Sequence, residues 1–138
     1  MRIFWFSCLF VLLLDQLVKE IIILRKPNVY TALLTIHQIE NTGAGFGILP
    51  HATLLLATVS VLVAGITIYY GYALKLSTMQ LMWTGIFLGG VLGNMLDRIL
   101  RGYVIDFIDF KVWPVFNLAD TAISIAAIVL LIYSIQES

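Results

Sequence analysis

Four long apolar stretches, at residues 3–24, 52–74, 79–100 and 116–135, decide what this chain can fold into. Each is close to the ~20 residues that a helix needs to cross the hydrocarbon of a bilayer. None shows the strict alternation of a barrel strand. Lipid offers no partner for backbone polar groups, so a spanning segment must satisfy them within the protein, and helices do that. The chain is 61% hydrophobic and only 12% charged, too little polar surface to clothe a soluble domain of 138 residues. The expected fold class is an all-α membrane protein, a single domain over 1–138 with four transmembrane helices.

The remaining composition excludes several functions. Formal net charge is zero and there is no basic run, so no nucleic acid is expected as a partner. One cysteine, Cys8, permits neither an intrachain disulfide nor a Cys-cluster metal site, and a small buried side chain is expected there. Arg2 followed by the apolar run Ile3–Leu14 has the look of a signal peptide. No small-x-small cleavage site follows, however, and Asp15-Gln16-Leu17-Val18-Lys19 leads into further apolar residues, so a retained span is expected.

An even number of spans places both termini on one side, with the links 25–51 and 101–115 together on the other. Leu76-Ser77-Thr78 forms a tight turn between the second and third spans. The termini side carries Arg2 and Lys75; the other carries Arg25, Lys26, Arg101 and Lys111. Taken alone, that bias would put the long links in the cytoplasm.

Within the first link, Val29–Ile39 is rich in β-branched and aromatic residues and predicts a short strand or hairpin, followed by turn chemistry in Asn41-Thr-Gly-Ala-Gly-Phe-Gly47. Such a platform could rest on lipid, line a cleft, or merely connect two helices. His37 has no companion at metal-ligand spacing and reads as a surface or interfacial residue, so no metal is expected.

Polar residues inside the apolar segments carry the chemistry, because burying them is costly without a purpose. Asp15 and Lys19 stack on one helix face as an ion pair. Gly85, Gly89 and Gly93 make a small-residue stripe for close helix packing. Gly90, Asn94 and Asp97 continue a polar face toward Arg98. In the last segment, Asn117, Asp120, Thr121 and Ser124 form one polar stripe, with Asn117 as N-cap and Asp120 in the first turn. Asp106 and Asp109 lie just upstream. Two carboxylates held close together cannot both ionise easily, so one keeps its proton. That state suits peptide hydrolysis: the ionised acid takes a proton from water while the protonated acid polarises the carbonyl.

Five segments occurring in one order between residues 15 and 120 resemble the motif series of the lipoprotein signal peptidase (signal peptidase II) family. They are Asp15-x-x-x-Lys19, Asn41-Thr-Gly-Ala-Gly-Phe46, Gly89-Gly-Val-Leu-Gly-Asn94-Met-Leu-Asp97-Arg98, Val104-Ile-Asp106-Phe107 and Phe116-Asn117-Leu-Ala-Asp120. The resemblance implies a monomeric, multi-pass aspartyl endopeptidase of the bacterial cytoplasmic (inner) membrane, with its active site near the extracytoplasmic face. It implies substrates that are diacylglyceryl-modified prolipoproteins, cut before the lipidated cysteine, membrane lipids as surroundings, and no cofactor. By motif, Asp106 and Asp120 would be the catalytic dyad. Asn41, Gly43, Asn94, Arg98 and Asn117 would line or support the site, Asp15 and Lys19 would help hold it, and Asp97 would be structural. Residues 25–51 would form a small extracytoplasmic β-cradle. Gly45 stands where members often have alanine. The family's basic tail after the fourth span has no counterpart in these residues, which bears on the weak charge bias.

Two other classes compete. A small proton-coupled transporter predicts ionisable groups near mid-membrane and a dimer that builds a pathway. A structural membrane subunit leaves the gathering of Asp97, Asp106 and Asp120 without a reason.

Overall fold

The computed structural model describes residues 1–44, 49 and 51–136. In chain order it comprises α1 (Arg2–Arg25), β1 (Val29–Tyr30), β2 (Thr35–Asn41), α2 (Thr53–Ala73), α3 (Thr78–Arg101), β3 (Val104–Asp109) and α4 (Leu118–Gln136). The four helices lie within two residues of the apolar segments read from the sequence. Among the described residues, α2, α3 and α4 are long and apolar enough to cross a membrane. The equally long α1 carries Asp15, Lys19 and Glu20 within two turns.

Helix α3 is the axis of the bundle, packing against α1, α4 and α2. Its glycines allow the approach. A Cβ on Gly89 would lie 2.5 Å from the Cys8 carbonyl oxygen, and one on Gly93 would lie 2.6 Å from Asp15 Oδ2. Gly85 is likewise closed off by Phe4 and Ser7, so the stripe of three faces α1. Gly90 faces the other way, where a Cβ would meet the Ala119 carbonyl oxygen at 2.6 Å. One helix thus holds two neighbours at backbone contact. Cys8 is buried in this core with Phe4, Ala64, Leu88 and Val91. The turn into α3 is a reciprocal cap: Ser77 Oγ accepts from the Gln80 N–H, and the Ser77 N–H donates to Gln80 Oε1.

Apolar side chains turn outward on α1 and polar ones inward. Phe6, Leu9, Phe10, Leu13 and Leu17 are exposed, whereas Asp15 and Lys19 are wholly buried. A soluble amphipathic helix has the opposite arrangement.

The sheet corrects one expectation. A cradle confined to the first long link accounts for only β1 and β2; β3 comes from the second link and completes an antiparallel sheet in the order β1-β2-β3. The sequence Val-Ile-Asp-Phe-Ile-Asp conceals the strand because its first four residues are all buried, so hydrophobicity does not alternate along it. Gly102, at φ +81°, ends α3 and lets the chain turn back into β3. Ile105 and Phe107 then pack with Ile22 of α1, leaving Asp106 on the opposite face.

Candidate active site

Asp106 enters the site from β3 and Asp120 from the first turn of α4. Between β2 and β3 the pairing changes register: Thr35 opposes Asp109 and Ile36 opposes Ile108, but Ile39 opposes Asp106 and Asn41 opposes Val104. The extra residue in β2 is a bulge. Had the first register continued, Gln38 would oppose Asp106 and Asn41 would point to the other face. With the bulge, Asn41 shares a face with Asp106, and its Nδ2 donates to Asp106 Oδ2 at 2.9 Å.

Asn117 caps α4 as expected. Its Oδ1 accepts the Asp120 N–H at 2.9 Å, while its own N–H donates to Asp120 Oδ2 at 3.2 Å. The Ala119 N–H, a second orphan donor of that turn, goes to Asp15 Oδ1 of α1 at 2.9 Å. The helix start that carries Asp120 is therefore fixed from two sides.

Two amides join the aspartates. Asn117 Nδ2 donates to Asp106 Oδ1 at 2.7 Å and to Asn94 Oδ1 at 3.1 Å. Asn94 Nδ2 donates to Asp120 Oδ1 at 2.7 Å. Every carboxylate oxygen of the pair accepts at least one N–H. Both acids line a cavity of about 230 Å³ with Asn41, Trp113, Phe116 and Ser124. A second cavity of about 280 Å³ shares Trp113, Phe116, Asp120 and Ser124 and extends along α4 past Thr121 and Ile125.

Burial, followed by the nearby Asp120 charge, pushes the Asp106 carboxyl up to about 6. The Asn41 and Asn117 amides and the Lys19 charge pull it the other way. An acid so placed changes protonation close to neutral pH, as general acid–base work demands.

Behind the aspartates lies an ion network. Lys19 Nζ reaches Asp15 Oδ2 and Asp97 Oδ2, both at 2.8 Å, and Asn94 Oδ1 at 3.1 Å, so its three N–H donors have three partners. Asp97 also accepts from Arg101 Nη1 at 2.5 Å and from the Ile105 N–H at 3.2 Å, and Arg101 pairs with Glu20 as well. Arg101 is thus tied to the buried Asp97 and the exposed Glu20, which removes it from the free charges counted for orientation. Sequence reading missed both Arg101 and Gln16, which donates to Asp15, Asp97 and the Gly93 carbonyl. For Arg101 the signal was its position four residues after Asp97; Gln16 gave none.

Arg98 Nη2 donates to the Gly43 carbonyl at 3.3 Å, and the Gly43 N–H donates to Asn41 Oδ1 at 2.9 Å. Arg98 and Gly43 therefore flank the site through Asn41. Asp109 stands apart: its Oδ1 accepts the Lys111 N–H at 2.7 Å and closes a turn. His37 is half-buried on β2, with Nδ1 lacking a hydrogen-bond partner. Gly45, Phe46 and Gly47 of the second motif lie outside the described residues.

Residues 7–136 match the family model described as signal peptidase (SPase) II. The lipoprotein signal peptidase of Halothermothrix orenii is 41% identical, over 94% of this chain and 92% of its own length. That of Moorella thermoacetica is 40% identical, over 92% and 89%. Among solved structures, a bacterial membrane enzyme obtained by the in meso method at 2.3 Å superposes with a TM-score of 0.86 at 26% identity, over 96% of this chain and 87% of that one. With the match running nearly end to end in sequence and in fold, this multi-pass membrane protein belongs to the signal peptidase II family of lipoprotein signal peptidases.

Proposed function

We propose that the protein is an aspartyl endopeptidase that removes signal peptides from diacylglyceryl-modified prolipoproteins, with Asp106 and Asp120 as the catalytic pair. The observation that carries this reading is the pair of carboxylates, Asp106 buried and Asp120 half-buried, that face one cavity and are joined through neutral amides. At working pH the two acids share one proton. The ionised carboxylate removes a proton from water as its oxygen attacks the scissile carbonyl, and the protonated one donates to the developing oxyanion. Collapse of the tetrahedral intermediate passes a proton to the departing amine, leaving a new carboxyl group and a new amino terminus at the lipidated cysteine.

In this reading α1 is the fourth membrane crossing. Its apolar exterior meets lipid, and its charges are compensated inside the bundle. The sheet end, with the active site, lies at the extracytoplasmic face of the bacterial cytoplasmic membrane, and the protein works as a monomer. The apolar cavity along α4 receives substrate beside Asp120. A diacylglyceryl group favours binding because burying acyl chain contributes about 0.8 kcal/mol per methylene.

The test uses the purified protein with a prolipoprotein peptide carrying or lacking the diacylglyceryl group, and mass spectrometry of the products. Cleavage before the modified cysteine is expected, with a markedly slower reaction on the unmodified peptide. Asp106→Asn and Asp120→Asn should each lower kcat by at least ~10³-fold. Undiminished cleavage by either variant would refute the dyad, and equal rates on both peptides would refute the lipid requirement.

A further inference from the structure

Lys19 spends two of its three N–H donors on carboxylates and the third on a neutral amide, Asn94 Oδ1. A buried ion pair alone gives no reason for that third bond. Its consequence is directional. Asn94 Oδ1 accepts from Lys19 Nζ at 3.1 Å and from Asn117 Nδ2 at 3.1 Å. An ammonium donates only, so a flipped Asn94 amide would set its NH₂ group against two donors. With the oxygen held toward Lys19, Nδ2 must face Asp120, to which it donates at 2.7 Å. The same oxygen draws one Asn117 N–H, leaving the other for Asp106 Oδ1 at 2.7 Å. Each asparagine thus has one amide donor ending on a carboxylate, with Asn94 Oδ1 taking the lysine and the second Asn117 N–H.

We infer that Lys19 is a positioning residue that sets the polarity of the Asn94–Asn117 amide chain, and through it the orientation of both aspartates. This rests on the peptidase reading above. The lysine is wholly buried and does not line the cavity, so beyond the direct pull of its charge on Asp106 its orienting influence passes through Asn94. Networks of this kind act as a unit, and double-mutant cycles reveal it.

The test removes the lysine without stranding charge. Asp15→Asn/Lys19→Met deletes one cation and one anion, keeps an oxygen at position 15 for the Ala119 N–H, and leaves Asp97 paired with Arg101. Asp15→Asn alone isolates the share due to the lysine. The paired change should lower kcat by about 10- to 100-fold, the range usual for losing an outer-shell partner, with KM within about threefold. Introduced into Asn94→Leu, the same change should cost less than about threefold, because its target is already gone. Multiplying losses, or a kcat equal to that of Asp15→Asn, would overturn the inference.

Asp15→Asn/Lys19→Gln has the same charge as the methionine variant but restores an N–H donor, and should recover part of kcat. No recovery in the folded glutamine variant would count against orientation by the donor. If the parent itself cleaves no prolipoprotein, the peptidase reading fails separately. The Asn94 side-chain amide signals in NMR, assigned by their loss in Asn94→Leu, would then decide the matter: two distinct, slowly exchanging protons in the parent, becoming averaged without the lysine. Unchanged signals would overturn the inference.

Discussion

Two pairs of aspartates lie side by side in this bundle, all buried except the half-buried Asp120, and they are held by opposite means. Asp15 and Asp97 meet cations, Lys19 and Arg101, at 2.5–2.8 Å. The hydrogen bonds to Asp106 and Asp120 come from asparagine amides and one backbone N–H. Removing an acid that is paired with a buried cation strands the partner charge, so such a pair holds the fold together. An amide orients a carboxylate without neutralising it, so the acid stays free to change protonation. The first group is scaffold and the second is suited to chemistry, although all four residues are aspartates within a few turns of one another.

Neutralising one acid in each group should therefore shift stability in opposite directions. Asp97→Asn leaves Lys19 and Arg101 with too little negative charge and should destabilise the protein by about 3–5 kcal/mol, the usual cost of breaking a buried pair. Thermal unfolding in detergent micelles measures it. An unchanged midpoint would mean that the ion network is not scaffold.

Asp106→Asn should do the reverse while abolishing cleavage. A carboxyl raised to about 6 binds more protons folded than unfolded between its ordinary value of 3.8 and about 6. Stability consequently falls as pH rises through that window, and above it the ionised acid carries the full cost. The asparagine variant should be more stable than the parent by about 1–3 kcal/mol at pH 8, with the difference fading toward pH 4. Parallel unfolding curves at the two pH values would sink this account of Asp106.

Much of this arrangement was legible in the sequence, and the limits have physical causes. Helices of about 20 apolar residues write themselves plainly, and the spacing of Gly85, Gly89 and Gly93 marked a close-packing stripe, though not α1 as the helix it meets. Asn117 as N-cap and Asp120 in the first turn of α4 followed from local rules. The sheet was only half legible, because β3 is buried on both faces and lacks alternation. The bulge that brings Asn41 onto the face of Asp106 left no mark at all, since register belongs to the pairing and not to either strand. Local rules alone did not separate Asp97 from Asp106, two acids beside apolar runs; only the motif resemblance did. The discriminating fact is which cations the fold delivers, and those come from α1 and the end of α3.

The amide side of the comparison predicts a smaller, tunable effect. Asn41 and Asn117 hold Asp106 below the value that burial and Asp120 would otherwise impose. Asn41→Ala removes one such bond, so Asp106 should take up its proton at higher pH. Because the proposed mechanism needs one acid protonated and one ionised, cleavage is lost as pH rises through the loss of the shared proton, and that alkaline limb should lie near 6 in the parent. In Asn41→Ala it should move upward by about 0.5–1 unit. A limb that stays in place would show that Asn41 orients Asp106 without influencing its charge.

Asp109 provides the smallest effect and the sharpest control. It is three residues from Asp106 on the same strand, yet its carboxylate turns to the Lys111 N–H at the surface and has neither a buried cation nor an amide of the site. Proximity in sequence would make it a candidate for either group; geometry puts it in neither. Asp109→Ala should change stability by no more than about 0.5–1 kcal/mol, the range for losing an exposed turn hydrogen bond, with kcat and the alkaline limb near parental values. A tenfold fall in kcat with folding intact would mean that acids beyond the amide-held pair take part in the chemistry, and the division between scaffold and reactive carboxylates would have to be redrawn.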